Sequence, residues 1–376
     1  MTSKKDLIAA MQADSEHHLF SASGSSQWLS CGMSIWEQFG MPDTTSDAAI
    51  EGTAAHNLAE MCLKENLRPS DVDGVTEEMA EFVGKYIDYV KHVVEDGRMW
   101  IEQRIDLNKW IMGGRGTADI VAICSKTLHI IDLKYGKGVQ VFAEDNSQLK
   151  LYALGALDRF LETGIEVEKV VVHICQPRLY HYQSAELGIE ELLAFGEHVS
   201  KWIQRCLDKE VDYNPSERAC QWCKAQATCS ALYQHNLKVI SEDFAPIPAG
   251  ELTDEQLKLV VDNKPLIEKW LKSVEAHVFS RLERGEKFEG YKMVEGRSIR
   301  KYTANAAEVL EKILGENAYE KKLINLSEAE KAVGKKQFAE LGITVKPAGK
   351  PTLVPESDKR KAISVSDDFE KLEKED

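Results

Sequence analysis

Gly116-Thr-Ala-Asp119-Ile-Val-Ala-Ile-Cys124, a polar break at Ser125-Lys126-Thr127, and then Leu128-His-Ile-Ile-Asp132-Leu-Lys134 form the stretch that decides the fold. A short polar break between two apolar, β-branched-rich runs reads as a hairpin turn joining two strands. Side chains along a strand alternate between faces. Asp132 and Lys134 therefore point the same way, with Leu128 and Ile130 preceding them, while His129, Ile131 and Leu133 take the other face. If the hairpin pairs in register, Asp119 lies opposite the Asp132–Lys134 end. Asp132 is a charge in an otherwise apolar strand, and a buried carboxylate is costly unless a cation or another strong partner accompanies it. Farther on, Gln148-Leu-Lys-Leu-Tyr152 places Gln148 and Tyr152 on one face of a helix predicted over 145–163.

Two carboxylates and a lysine at one end of a small sheet suit a divalent cation and a phosphodiester. Hard oxygen ligands favour Mg²⁺ or Mn²⁺, which would acidify a water and polarise a phosphate. Lys134 could orient that water or stabilise developing negative charge, and Gln148 and Tyr152 could orient the phosphate or the lysine. Taken singly, an Asp-x-Lys is an ordinary solvated pair, and Gln148 and Tyr152 are ordinary helix-surface residues. Their occurrence in this order over 37 residues is what points to chemistry.

In that order, Gly-x-x-Asp, Asp-x-Lys and Gln-x-x-x-Tyr resemble the PD-(D/E)XK nuclease superfamily, specifically its RecB-like branch. The resemblance is specific over about residues 21–232. It implies an α/β fold of restriction-endonuclease type, a central mixed sheet flanked by helices. It implies catalytic roles for Asp119, Asp132, Lys134, Gln148 and Tyr152. It also implies a histidine ligand upstream on a helix, which Glu51-Gly52-Thr-Ala-Ala-His56-Asn-Leu-Ala-Glu60 supplies as His56, beside Asp119 and Asp132 as metal ligands. Glu102, on a strand expected over 99–107, reads either as a supporting carboxylate or as solvent-exposed.

The eight cysteines include a C-x2-C-x5-C, Cys220, Cys223 and Cys229, with Cys31 far upstream. The N-terminus does not read as a secretory leader, so a disulfide framework is not expected. Four thiolates suit a [4Fe–4S] cluster or structural zinc. A C-x2-C alone favours zinc, but zinc sites more often use two close pairs. The one-plus-three partition resembles the iron–sulfur nucleases of the same branch, in which one cysteine precedes the nuclease core and three follow. Cys62, Cys124, Cys175 and Cys206 read as small buried apolar residues.

The chain of 376 residues carries 47 basic and 62 acidic residues, a net charge of −15. That is unusual for a sequence-indifferent duplex binder. It fits engagement of a DNA end or single strand, with help from a single-strand-binding or recombinase protein. Candidate phosphate contacts are Arg178, after Gln176-Pro177, and Arg297, Arg300 and Lys301 in a locally basic zone. No apolar run reaches membrane length, and a cytoplasmic location is expected, the host cytoplasm if the chain is phage-encoded. No Walker motif is present.

Helices are expected over 46–66, 75–95, 188–209 and 252–284, and strands over 110–113 and 167–174. The expected organisation is a nuclease domain over 1–243, a linker at 244–250, a helical or α+β region over 251–345 and a disordered acidic tail over 346–376. Residues 288–303 read as a strand pair, followed by helices at 304–314 and 327–341. The resemblance implies a metal-dependent DNA exonuclease in phage-type recombination, replication or repair, with 5′→3′ polarity favoured. A DNA-end or single-strand binding module with little hydrolysis, and a flap-cutting endonuclease, are the alternatives.

Overall fold

The computed structural model describes residues 2–13, 18–42, 46–95, 97–243 and 253–294, and only scattered positions from 306 to 344. The chain divides into two compact units, Met1–Val294 and Glu295–Asp376. The linker at 244–250, Arg297, Arg300, Lys301 and the tail lie outside the described residues, as do most of the expected strand pair and of the two helices after it.

Among the described residues, the α-helices α1 (Lys4–Gln12), α2 (Ser25–Ser30), α3 (Ser34–Gln38), α4 (Asp47–Glu65) and α5 (Glu77–Val94) precede the sheet. Ser46 and Thr76 cap α4 and α5 by accepting from the backbone N–H groups of Ala49 and Met79, a contribution of about 1 kcal/mol each. Helix α5 turns one apolar face to the core. The buried positions are Val83, Tyr86, Ile87, Val90 and Val94, because the aliphatic side chains take the core and two of the larger rings stay at its rim.

The quoted stretch folds as the expected hairpin. Strands β1 (Arg98–Asp106), β2 (Arg115–Cys124) and β3 (Thr127–Leu133) pair antiparallel in sequence order. Ser125 and Lys126 form the β2–β3 turn, both at positive φ, 47° and 65°, the two-residue geometry whose twist matches that of the strands. The expected strand at 110–113 is instead part of a tight connection. Leu107, Trp110 and Ile111 are buried from a turn closed by the Leu107 N–H donating to the Gly114 carbonyl at 2.9 Å.

Helix α6 (Ser147–Glu162), capped by Asn146, then crosses over to β4 (Lys169–Gln176), which lies parallel to β3. A further strand, β5 (His181–Leu187), adds antiparallel at the edge. The result is a mixed five-stranded sheet in the order β1-β2-β3-β4-β5, of α/β class. Helices α7 (Ile189–Leu207), α8 (Glu217–Cys220), α9 (Ser230–Asp243) and α10 (Asp254–Glu283) complete the first unit.

Each sheet face carries its own core. Leu128 and Ile130 pack with Leu7, Trp28, Leu154 and Val199, whereas Ile131 and Leu133 pack with Ala55, Leu58, Val83 and Tyr86. Alternation along β3 therefore holds as read from the sequence. Burial of each such aliphatic side chain stabilises the fold by ~1.5–3 kcal/mol. Helix α10 meets the rest of the unit through Leu266, which is buried with Ala219, Cys220 and Leu232. Leu257, Val260, Val261 and Leu271 on the same helix are exposed. No helix among the described residues is long and apolar enough to cross a membrane.

Candidate metal centre and cysteine cluster

One rung of the β1–β2 ladder is absent. Ile101 pairs with Ile120 and Gln103 with Ala118, but Glu102 and Asp119 between them do not pair. Both strands turn over at this point. Ala118 and Ile120, two apart, face opposite cores, and so do Ile101 and Ile105, four apart. Glu102 sits at φ 48°, a conformation costing a non-glycine residue ~1–3 kcal/mol and found preferentially where function requires it. The freed Asp119 carboxylate reaches across to β3, where its Oδ2 accepts the Leu133 N–H at 2.6 Å. Its Oδ1 lies 3.3 Å from Nδ1 of His56 on α4.

His56, Glu102 and Asp119 each offer one ligand atom, all within 4.8 Å of one another. With Glu60, Tyr86 and Leu133 they line a cavity of about 10 Å³, room for a single water-sized guest. Burial, then the Asp119 charge, push the Glu102 carboxyl up to about 7. Burial works against a charged His56, but the hydrogen bond and charge of Asp119 outweigh it and hold that imidazole above its ordinary pKa.

The other half of the site comes from β3 and α6. Lys134 Nζ pairs with Asp132 Oδ2 at 2.9 Å and donates to Gln148 Oε1 at 3.1 Å. Gln148 Nε2 in turn donates to Asp132 Oδ1 at 3.1 Å and lies 3.4 Å from Tyr152 Oη. The glutamine thus clamps both members of the ion pair. Burial opposes the Lys134 charge, yet Asp132 and Asp119 outweigh it and raise its pKa above the usual lysine value.

Gly116 belongs to this packing. A Cβ at that position would lie 2.7 Å from Tyr152 Cε1. Gly116→Ala is therefore expected to displace the Tyr152 ring and to destabilise the protein by ~1–3 kcal/mol, read as a lower denaturation midpoint in urea.

The structure thus brings together His56, Asp119, Asp132, Lys134, Gln148 and Tyr152. Asp132 Oδ1 accepts from Gln148, whereas its Oδ2, 2.9 Å from Lys134 Nζ, is buried with no hydrogen-bond partner among the described residues, and Glu102 stands beside His56 and Asp119. Glu102 is half-buried at the site rather than solvated. Arg178, read as a phosphate contact, is turned inward with 5% of its side chain exposed. It pairs with Glu51 at 2.8 Å and Glu78 at 2.9 Å, and its guanidinium stacks 4.8 Å over the Tyr135 ring. Two carboxylates already satisfy its charge.

The four cysteines also converge. Cys31 follows α2, Cys220 ends α8, and Cys223 and Cys229 lie between α8 and α9. All four are free and line one cavity of about 20 Å³. Two further residues line it that sequence reading did not single out, Ser34 and Gln226. Ser34 Oγ and Gln226 Nε2 are buried, with no hydrogen-bond partner among the described residues. Burial raises the Cys220 thiol and pushes Cys223 up to about 12.

Cys206 and Cys62 are fully buried in the two sheet cores, as small apolar residues.

Among solved structures, a presumed exonuclease from Eubacterium rectale is similar at 12% identity and a TM-score of 0.32, over 68% of this chain and 97% of that chain. The structure of SSO0001 is similar at 11% identity and a TM-score of 0.28, over 61% of this chain and 94% of that one. At those scores the chemistry of the site rests on its own side chains. Over residues 17–361 the sequence matches the model of DUF2800, described as a protein of unknown function, and the chain belongs to that family.

Proposed function

We propose that the protein is a divalent-metal-dependent nuclease of the PD-(D/E)XK type, acting on DNA ends. The observation that carries this reading is the gathering of one ligand atom each from His56, Glu102 and Asp119 within 4.8 Å of one another beside a small cavity, with the Lys134–Asp132–Gln148 network in the same site. Two carboxylates and an imidazole fit Mg²⁺ or, better for the imidazole, Mn²⁺. When bound, such a cation polarises a phosphodiester and acidifies a water.

The protein's own groups supply the rest. Lys134, kept protonated by Asp132 and Asp119, holds its ammonium where negative charge builds on the phosphoryl oxygens. Gln148 fixes that ammonium through Oε1 and orients Asp132 through Nε2. Tyr152 is kept neutral by burial and offers a hydroxyl beside Gln148.

Cys31, Cys220, Cys223 and Cys229 would hold a [4Fe–4S] cluster, with zinc as the alternative. The one-plus-three partition of the cysteines supports the cluster, and the unpartnered donors of Ser34 and Gln226 suit its sulfur acceptors. Such a group would tie the segment before the sheet to the segment after it. The net charge of −15 supports an end or a single strand as substrate, presented with a single-strand-binding or recombinase protein. The phage-type setting and the 5′→3′ direction come from the sequence resemblance.

Digestion of end-labelled linear DNA and closed circular DNA, single- and double-stranded, with Mg²⁺ or Mn²⁺, tests this reading, with Lys134→Ala as control. Linear strands shortened by the parent, with circles resistant and Lys134→Ala inactive, is the expected result. Cut circles would make the enzyme an endonuclease. Binding without cleavage under all metals would overturn the hydrolase and leave an end-binding module.

A further inference from the structure

Tyr86 lies on α5, and its ring is 1% exposed in the core beneath β2 and β3. Its Oη is buried and has no hydrogen-bond partner among the described residues. A hydroxyl left so costs ~1–3 kcal/mol, whereas a phenylalanine of the same shape would cost nothing of the kind. Packing alone does not account for the oxygen.

The surroundings do. Tyr86 lines the same small cavity as His56, Glu102 and Asp119. A phenol hydroxyl carries a proton to donate and needs a lone pair opposite it. A bare cation offers none. An oxygen held by that cation does, and the cavity has room for about one water.

We infer that Tyr86 is a positioning residue of the metal centre, its hydroxyl donating to a water enclosed in the cavity as an oxygen ligand of the bound cation. This rests on the metal-site reading above. Partners that hold a metal's ligands in place commonly govern 10–100-fold in affinity or activity.

Three full-length proteins test it: parent, Tyr86→Phe and Asp119→Asn. Mn²⁺ affinity is measured by titration calorimetry, and Tm with and without Mn²⁺. Val83, Ile87 and Val90 hold α5 in place, so the phenylalanine variant keeps its packing. Without metal, Tyr86→Phe is expected to melt at or above the parent. With Mn²⁺ the order is expected to reverse, and its Mn²⁺ affinity to fall about 10-fold or more. If the parent binds Mn²⁺, Asp119→Asn does not, and Tyr86→Phe binds like the parent, Tyr86 has no such role and the metal site stands. An equal drop in Tm with and without metal would likewise reduce Tyr86 to packing. If the parent and Asp119→Asn are alike in not binding Mn²⁺, the metal site itself fails and the role of Tyr86 with it.

Discussion

Asp119→Asn is expected to lower metal-dependent cleavage by about 10³-fold or more, while stability stays within about 1 kcal/mol of the parent. The two effects separate because Asp119 does two things with two oxygens. One accepts the buried Leu133 N–H at 2.6 Å, beyond Ile120 and Ile131, where β2–β3 pairing ends. Asparagine keeps an acceptor for that N–H. The other faces His56 in the cluster of ligand atoms, and there asparagine removes the charge that binds a cation. Asp119→Ala removes both functions and should in addition lose ~1–3 kcal/mol, because the Leu133 N–H is then orphaned. Cleavage rate and urea midpoint, measured on both variants, resolve the pair. Parent-like cleavage by Asp119→Asn would move the reaction centre elsewhere.

The second large effect is expected at the cysteines. With the proposed cluster in place, Cys223→Ser should abolish its binding and lower Tm by about 10 °C or more, since the binding energy of such a group is folding energy. The parent should be brown, with broad absorption near roughly 400 nm, and the variant colourless. Cys206→Ser is the comparator. It sits in the main core, apart from the cavity that Cys31, Cys220, Cys223 and Cys229 line, and should keep metal and colour while losing some stability. A colourless parent with stoichiometric zinc, prepared anaerobically, would replace the cluster by zinc. A metal-free parent as stable as Cys223→Ser would remove the site altogether.

Much of this architecture was legible in one dimension because its signals are local. The hairpin follows from two apolar runs and a polar break, the faces of β3 from simple alternation, and the Gln148–Tyr152 pair from helical spacing. Where reading failed, the deciding partner was distant or the backbone broke its own rule. Strand β5 carries mostly polar, partly exposed residues at the sheet edge, so it has no period-2 apolar signal. Trp110 and Ile111 are apolar enough to suggest a strand, yet they bury from a turn. Glu102 sits at positive φ on the unpaired β1–β2 rung, so alternation counted from its neighbours could not choose between its two readings. The orphan hydroxyls of Tyr86 and Ser34 have no one-dimensional signature at all, because only packing shows that nothing meets them.

Arg178 has a consequence of another kind. Its guanidinium joins Glu51, in the first turns of the helix that carries His56, to Glu78 at the start of the next helix, and both carboxylates depend on that single planar fork. A lysine cannot span the two in the same geometry, and loss of one acid leaves a mostly buried cation half-matched. Across relatives, positions 51, 78 and 178 should therefore drift as a trio, and a lineage that has shed one of them should have shed the others.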